Sequence, residues 1–223
     1  MHAGLDWTNF QPTMTPELAA QLRDLGVLRL LCQTQFPTTF QPCAAACVSA
    51  GIGLDAVRFL YNPGSDLLER HIARRLQHDP KIPITDAELK VAADALRKTV
   101  GLGGDYVAQA QQALDQIAAA APARSRYLDL DFEDDTGDTT GIGQALLDAI
   151  ALCENVGQRV RVYTGAWFWG PYAGTASSYT GPFRMAIYDG LAALRGYDAV
   201  QYSASVSVLG IDVNPNVCAD TNL

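Results

Sequence analysis

Short apolar runs alternate with amphipathic segments along most of the chain. The apolar runs have the length of buried strands, and turn residues such as Asn62-Pro63-Gly64 end them. The strands that this pattern predicts are a short first one at 4–7, followed by 27–34, 56–61, 127–133, 159–164, 184–188 and 199–203. Because helical segments separate these strands, the pattern predicts βαβ units and a mainly parallel sheet.

The segments between the strands carry helical periodicity and helix-start signals. Thr15 can cap a first helix with Pro16 at its first position, and Gly26 is placed to end it. Thr85 and Glu88 have the spacing of a capping box. Further helices are predicted at 41–50, 65–78, 85–98, 105–120, 144–155 and 190–194. The pattern predicts an α/β fold in one barrel-like (TIM-like) domain over 1–223, with 65–98 as a helical insertion after the third strand.

Composition and charge limit the classes of partner that this protein is expected to bind. The chain has 223 residues, a net charge of −8 and a pI near 4.7, so it lacks the basic surface that nucleic-acid binding requires. It has no run of about 18 apolar residues, which argues against membrane insertion. The N-terminus also lacks the charged and apolar regions of a secretion signal.

The five cysteines are an odd number without a CxxC pair, and no histidine lies close to one of them in the chain. A metal site is therefore not expected, and nothing in the chain calls for a cofactor. Cys32 and Cys153 lie in apolar runs and are predicted to be buried small hydrophobes. Cys43 and Cys47 lie four residues apart on an Ala-rich helix and are expected to be unpaired.

The predicted strand 127–133 carries three acids on one face. Successive strand residues point to opposite sides, so Asp129, Asp131 and Glu133 share a face that would line the barrel interior. Crowded buried carboxyls raise one another's pKa, which keeps one of them protonated for general-acid chemistry. Two alternatives remain: these acids pair with core arginines or line a wet edge strand, or the segment 131–138 binds calcium without the usual loop spacing.

An aromatic segment follows the next strand. The residues 163–169 read YTGAWFW, which is dense in side chains that stack on sugar rings. Trp167 and Trp169 fit either a loop that binds substrate or packing in the core. Two carboxylates beside an aromatic surface are what glycoside hydrolysis requires.

Four motifs in order resemble glycoside hydrolase family 25, the Chalaropsis-type lysozymes. They are Gly4-Leu5-Asp6, Leu130-Asp131-Phe132-Glu133, Val162-Tyr163-Thr164-Gly165 with Trp167, and Val200-Gln201-Tyr202-Ser203 followed by Gly210-Ile211-Asp212-Val213-Asn214. The resemblance implies an irregular β/α barrel that cleaves the β-1,4 bond between N-acetylmuramic acid and N-acetylglucosamine in bacterial peptidoglycan.

The resemblance also implies roles for individual residues. Glu133 would be the general acid, and Asp131 would be the second carboxylate, either as nucleophile or as the group that orients the substrate's acetamido group. Asp6 and Asp212 would complete an acidic floor. The implied substrate-binding residues are Tyr61, Tyr163, Trp167, Trp169, Gln201 and Tyr202.

The sequence departs from the family in several places. The segments Gln33-Thr34-Gln35-Phe36 and Phe59-Leu60-Tyr61 differ from the family's usual residues, and Asp129 is an extra acid that would need a partner, such as an arginine on a neighbouring strand.

Three functions fit the sequence. The first is a muramidase acting on the cell wall, such as a phage lysin released at lysis or carried on a virion as part of a larger phage protein. The second is a non-catalytic barrel that binds glycan or builds a virion tail. The third is another glycosidase, such as a chitinase-like enzyme, whose strand motif is only partly matched.

Overall fold

The computed structural model describes residues 1–8, 11–67, 70, 85, 87–88, 90–91, 94–95 and 105–219. Its centre is an eight-stranded barrel. Seven parallel strands follow the chain order around the wall, and the last strand closes the barrel by pairing antiparallel with the seventh and the first. The wall strands are β1 (His2–Trp7), β2 (Val27–Gln33), β3 (Gly53–Phe59), β4 (Ser125–Asp131), β5 (Val160–Gly165), β6 (Phe183–Ala186), β7 (Ala199–Gln201) and β9 (Ile211–Cys218). A short strand, β8 (Val206–Val208), forms a hairpin with β9 outside the wall.

Side chains cap the first turn of two of the helices. Thr15 caps the first helix by accepting a hydrogen bond from the Leu18 N–H at 3.2 Å, and Asp105 caps the third by accepting one from the Ala108 N–H at 2.7 Å. The helices are α1 (Pro16–Asp24), α2 (Pro37–Ala50), α3 (Tyr106–Ala119), α4 (Ile142–Asn155) and α5 (Ala166–Tyr172), followed by a 3-10 turn at Gly174–Ser178.

Alternation along each strand divides the barrel into an outer apolar shell and a polar interior. On β4 and just beyond it, Leu128, Leu130 and Phe132 are fully buried in the hydrophobic core between wall and helices. The residues between them, Asp129 and Asp131, belong to the opposite face and point into the barrel. The packed shell therefore fixes the strands, and the interior is left for charged side chains.

The predicted fold class and the mainly parallel sheet are confirmed, and the expectations for two segments outside the strands are corrected. The strand β9 runs antiparallel, so the barrel is mixed. The helix predicted at 190–194 does not form, because this segment is an irregular connection between β6 and β7. The aromatic segment after β5 is not a loop: it forms the helix Ala166–Tyr172.

The insertion predicted at 65–98 lies largely outside the described residues. One feature of it falls on residues that the structure describes: in the capping box, the Thr85 N–H donates to Glu88 Oε2 at 2.8 Å and the Glu88 N–H donates to Thr85 Oγ1 at 3.3 Å. No helix among the described residues is long and apolar enough to cross a membrane.

The prediction for two of the cysteines was wrong. Cys32 on β2 and Cys43 on α2 form a disulfide, because the helix packs directly on the strand and brings the two Cα atoms to 6.9 Å. Cys47, Cys153 and Cys218 are free and buried. The apolar setting of Cys32 gave no signal that distinguished a buried thiol from a buried bridge.

Candidate active site

A cleft with a volume of about 280 Å³ opens at the carboxyl ends of the parallel strands. This is the end of a β/α barrel where catalytic side chains are carried. The cleft is lined by residues from all eight wall strands and from segments beside them: Asp6, Thr8, Gln11, Leu31, Gln33, Val57, Phe59, Asp131, Glu133, Tyr163, Arg184, Tyr188, Gln201 and Asn214. Five of the ten residues that the sequence proposed for the site are among them.

Three carboxyl groups line this cleft. Asp6 lies on β1, Asp131 is the last residue of β4, and Glu133 follows two residues later at the partly exposed mouth. Asp131 is 7% exposed, and its Oδ1 is buried without a hydrogen-bond partner. An unsatisfied buried carboxylate oxygen is unfavourable when the group is ionised, so the geometry favours a proton on this cluster.

A chain of buried ion pairs runs beneath the cleft. Arg29 contacts Asp55 at 2.9 Å, and Arg161 connects Asp55 and Asp129 at 2.7 Å each. Arg184 then connects Asp129 at 2.8 Å to Asp6 at 2.6 Å. Asp129, the extra acid of the sequence, therefore has arginine partners on the neighbouring strand β5 and on β6. The alternative that the strand's acids pair with core arginines is correct for Asp129.

The charges of these buried ion pairs cancel. The two acids above them, Asp131 and Glu133, which we call the upper acids, are therefore left without a cation of their own among the described residues. Three arginines (Arg29, Arg161, Arg184) alternate with three aspartates (Asp55, Asp129, Asp6). Asp131 and Glu133 are two further carboxyl groups, and among the described residues neither has a cation within ion-pair distance. Full ionisation of both would place two uncompensated charges in a largely buried position.

The pKa values of the upper acids follow from this imbalance. Burial raises the pKa of Glu133 to about 7; Arg184 opposes this rise and Asp6 adds to it. Burial also raises the pKa of Asp131 well above its ordinary value, with the Glu133 charge adding to the effect. The two groups interact and therefore titrate as a pair that retains a proton near neutral pH.

Tyrosine and amide side chains surround the acids. The Tyr163 hydroxyl donates to Gln201 Oε1 at 2.8 Å and lies 3.3 Å from the Tyr188 hydroxyl. The Arg184 guanidinium lies over the Tyr163 ring, 4.0 Å from its centroid. Burial raises the pKa of Tyr163 well above its ordinary value, so its hydroxyl stays a hydrogen-bond donor. Tyr163 and Gln201 thus lie in the cleft, as the sequence predicted.

Asp212 does not reach the floor where the sequence placed it. It is exposed on the hairpin part of β9 and pairs with Ser207 of β8, and its carbonyl accepts a hydrogen bond from Gln11 Nε2 at 2.8 Å. Lower on the same strand, Asn214 lines the cleft and Asn216 Nδ2 donates to Asp6 Oδ1 at 3.1 Å. Amides therefore occupy the part of the floor where the sequence predicted a fourth acid.

Four aromatic residues proposed from the sequence lie outside the cleft. Trp169 packs edge-on against Phe183, with ring centroids 5.0 Å apart, so the core-packing alternative is correct for it. Trp167 is 57% exposed on the surface of α5. Tyr202 is half-buried beyond the end of β7.

The fourth of these residues, Tyr61, is held behind the cleft wall. Its backbone N–H and carbonyl pair with the Gln109 side chain at 3.0 and 2.8 Å, and its ring lies 4.7 Å from the ring of Phe59, which does line the cleft.

Sequence reasoning missed several cleft residues, above all Arg184, Tyr188 and Asn214. The signal for Arg184 and Tyr188 was available in part. Arg184 and Tyr188 are four residues apart on a strand and its extension, so both side chains point to the same side. If Met185 is assigned to the apolar outer side, strand alternation predicts that these two point into the barrel. The contact between Arg184 and Asp6 was not predictable, because 178 residues separate the two in the chain.

Solved structures provide the comparison. No protein-family sequence model and no curated protein sequence matches the chain. In structure, 99% of the chain superposes on 94% of the catalytic domain of endolysin ply40 from bacteriophage P40 of Listeria monocytogenes, with a TM-score of 0.64 and 16% identity. The muramidase from Acremonium alcalophilum matches over 100% of this chain and 95% of that one, with a TM-score of 0.62 and 14% identity.

A third match carries a bound ligand in its own structure. The modular Cpl-1 endolysin, in a complex with a tetrasaccharide-pentapeptide analogue of peptidoglycan, is similar over 99% of this chain and 56% of that one, with a TM-score of 0.55 and 17% identity. At such low identities the likeness concerns the fold. The chain therefore has the barrel fold of these endolysin and muramidase structures.

Proposed function

We propose that the chain is a muramidase of the family 25 type, which hydrolyses the β-1,4 bond between N-acetylmuramic acid and N-acetylglucosamine in peptidoglycan. The observation that carries this proposal is the acid pair Asp131 and Glu133. The two side chains share one cleft at the carboxyl ends of the barrel strands and have no cations of their own among the described residues. The muramidase and endolysin structures with the same fold support it.

Glu133 is the general acid in this proposal. It lies at the mouth of the cleft, where a glycosidic oxygen can approach, and burial keeps its pKa near 7, so a large fraction is protonated at neutral pH. Proton transfer from Glu133 to the leaving oxygen breaks the glycosidic bond as positive charge develops on the sugar ring. A water molecule then adds its oxygen to the anomeric carbon and gives up a proton to the acid pair, which restores the starting protonation state.

Asp131 is the second carboxylate. It lies deeper on the floor, and when Glu133 holds the shared proton, Asp131 carries the negative charge that faces the developing oxocarbenium ion. Asp6 tunes this pair from β1 and is itself held by Arg184 and Asn216. Tyr163 and Gln201, joined by a hydrogen bond, form the polar wall that positions the sugar.

Peptidoglycan glycan strands are the proposed partner, and the bacterial cell wall is the proposed place of action. The ply40 and Cpl-1 matches are endolysins, which supports a phage lysin that meets the wall during lysis or from a virion. The cleft is open and lined by polar and aromatic side chains, as an extended glycan requires.

The test is lysis of purified bacterial cell wall by Glu133→Gln, which keeps the shape of the side chain and removes the acid. We expect turnover to fall by about 10²–10⁴-fold, the usual contribution of a positioned general acid. Glu154→Gln, the same change at an exposed position on α4, is the matched control and should keep full activity. Mass spectrometry of the wild-type products should find N-acetylmuramic acid at the new reducing ends.

Unchanged lysis by Glu133→Gln would overturn the assigned role of Glu133. Wall binding by the wild type without release of reducing ends would instead favour a non-catalytic glycan-binding barrel. N-acetylglucosamine at the new reducing ends would keep the hydrolase and exclude the muramidase.

A further inference from the structure

We infer that Arg184 is a positioning residue for the acid pair: by binding Asp6 and Asp129 at once, it holds one fixed positive charge beside Asp131 and Glu133 and limits how tightly that pair holds its shared proton. The inference rests on the proposed function and deepens it. It assigns a task to the one arginine among the described residues that line the cleft.

The contacts of Arg184 fix its guanidinium on three sides. Nη1 donates to Asp6 Oδ1 at 2.6 Å and reaches Asn216 Oδ1 at 3.4 Å. Nε lies 2.8 Å from Asp129 Oδ2, an ion-pair contact whose direction does not form a hydrogen bond. The Tyr163 ring covers one face of the group. Arg184 is 1% exposed, so these contacts are made with little competition from water.

Arg184 also lines the cleft, whereas Arg29 and Arg161, the other two arginines of the buried ion pairs, do not. Arg161 is equally buried and contacts Asp129 too, but its second partner is Asp55 and it does not line the cleft. The two arginines thus have the same chemistry and similar burial, and only Arg184 is next to the reacting groups. They form a matched pair for an experiment.

Electrostatics agree with this geometry. The positive charge of Arg184 acts against burial at Glu133, Asp131 and Asp6, and so lowers the pKa that each would otherwise reach. Burial by itself would lower the pKa of Arg184, but Asp6 and Asp129 outweigh it, so the guanidinium stays charged. The other titratable or charged groups that face the pair or Arg184 are Asp6 on β1, Tyr61 after β3, Asp129 on β4, Tyr163 on β5 and Tyr188 after β6.

The test compares two double variants that each remove Asp129 and one arginine. Arg184→Met/Asp129→Asn removes the arginine that lies beside the acid pair. Arg161→Met/Asp129→Asn instead leaves Arg29 paired with Asp55 and Arg184 paired with Asp6. Each deletes one buried positive and one buried negative charge, so the net charge of the barrel is unchanged in both.

The readout is the titration midpoint of the Glu133 carboxyl group. Carbon-13 NMR of labelled glutamate carboxyls monitors it, and Glu133→Gln identifies which resonance belongs to Glu133. In Arg184→Met/Asp129→Asn we expect the Glu133 midpoint to rise by about one pH unit, the scale of a lost opposite charge at close range. The pH at which the rate of wall lysis falls on the alkaline side, which we call the high-pH limb, should rise by the same amount. In Arg161→Met/Asp129→Asn neither midpoint nor limb should rise.

Equal shifts in the two double variants, or no rise in the Arg184 variant, would overturn the inference, because the chain of ion pairs would then act only on stability. If Arg184→Met/Asp129→Asn does not fold, Arg184→Lys and Arg161→Lys take their places, since a lysine keeps the charge but lacks the fork that reaches both carboxylates. A rise confined to Arg184→Lys supports the inference, and its absence overturns it.

The NMR titration requires no activity. A wild type that does not cut the wall would refute the proposed function, while a Glu133 midpoint that responds to Arg184 and not to Arg161 would still support the assigned role of Arg184.

Discussion

Asp129 and Asp131 lie two residues apart on β4 and point into the same barrel, yet their surroundings are opposite. Asp129 is paired with Arg161 and Arg184, whereas Asp131 has a buried oxygen without any hydrogen-bond partner. The register explains the difference. Asp129 lies opposite Arg161 on β5, and Asp131 lies opposite Tyr163. One step along the wall therefore exchanges a cation for an aromatic ring.

The difference divides the barrel interior into two layers. We call the residues Arg29, Asp55, Arg161 and Asp129 the closed layer, because each is at most 3% exposed and ion-paired within the barrel. We call Asp6, Asp131 and Glu133 the open layer, because all three line the cleft. The carboxyl groups of the closed layer are thus ion-paired, whereas in the open layer only Asp6 has an arginine partner and Asp131 and Glu133 share a proton. What decides between the two is the supply of arginines at each level.

The largest expected effect comes from breaking the closed layer. Arg161→Met removes the group that joins Asp55 to Asp129, and it leaves one buried negative charge unbalanced. We expect the free energy of unfolding to fall by about 3–5 kcal/mol, the usual cost of breaking a buried ion pair. Chemical denaturation monitored by circular dichroism measures this change.

The control for that change is Arg70→Met, which removes an exposed ion pair with Asp66. Exposed pairs contribute about 0–1 kcal/mol, so this variant should unfold almost like the wild type. Equal stability losses in the two variants would mean that the closed layer does not stabilise the fold as described.

The open layer should behave in the opposite way. The pKa of Glu133 is raised in the folded protein, so its contribution to stability is fully present below the ordinary pKa of a glutamate and is lost as pH rises to about 7. Glu133→Gln cannot ionise and avoids this loss. We expect it to be more stable than the wild type by on the order of 1–3 kcal/mol at pH 8, with the difference vanishing near pH 4.

Thermal unfolding across this pH range provides the measurement. The exposed Glu154→Gln serves as the comparison and should follow the wild type at every pH. A Glu133→Gln variant that is less stable than the wild type at pH 8 would show that the glutamate is a structural group, like those of the closed layer.

The same two layers show how much of the molecule the sequence could predict. Strand and helix periodicity identified the β/α barrel, because burial on one face imposes a repeat that local sequence preserves. Alternation also placed Asp129, Asp131 and Glu133 on one face. What alternation cannot give is the level of each side chain relative to the next strand, and that register separates Asp129 from Asp131.

The errors have the same origin. Asp212 was placed on the floor from its motif, but the hairpin with β8 carries it out of the cleft and brings Asn214 into it. Trp169 was a candidate for sugar binding, and its helical position turns it towards Phe183 in the core. The disulfide between Cys32 and Cys43 depends on how α2 packs on β2. Each of these facts is tertiary, and no local pattern records it.

The smallest expected effect concerns Asp6, which lies where the two layers meet. Its negative charge raises the pKa of Glu133, and its contact with Arg184 neutralises part of the positive charge that lowers it. Asp6→Asn removes the charge and frees Arg184 to act on the pair, so both effects lower the Glu133 pKa. We expect the high-pH limb of wall lysis to move down by about half a pH unit to one pH unit, a change of roughly 1 kcal/mol.

Initial rates of lysis from pH 5 to pH 9 measure the high-pH limb of the Asp6→Asn variant, and the Glu133 carboxyl resonance measures the same shift without activity. A limb that stays in place or moves up would mean that Asp6 belongs to the closed layer and is electrically isolated from the acid pair.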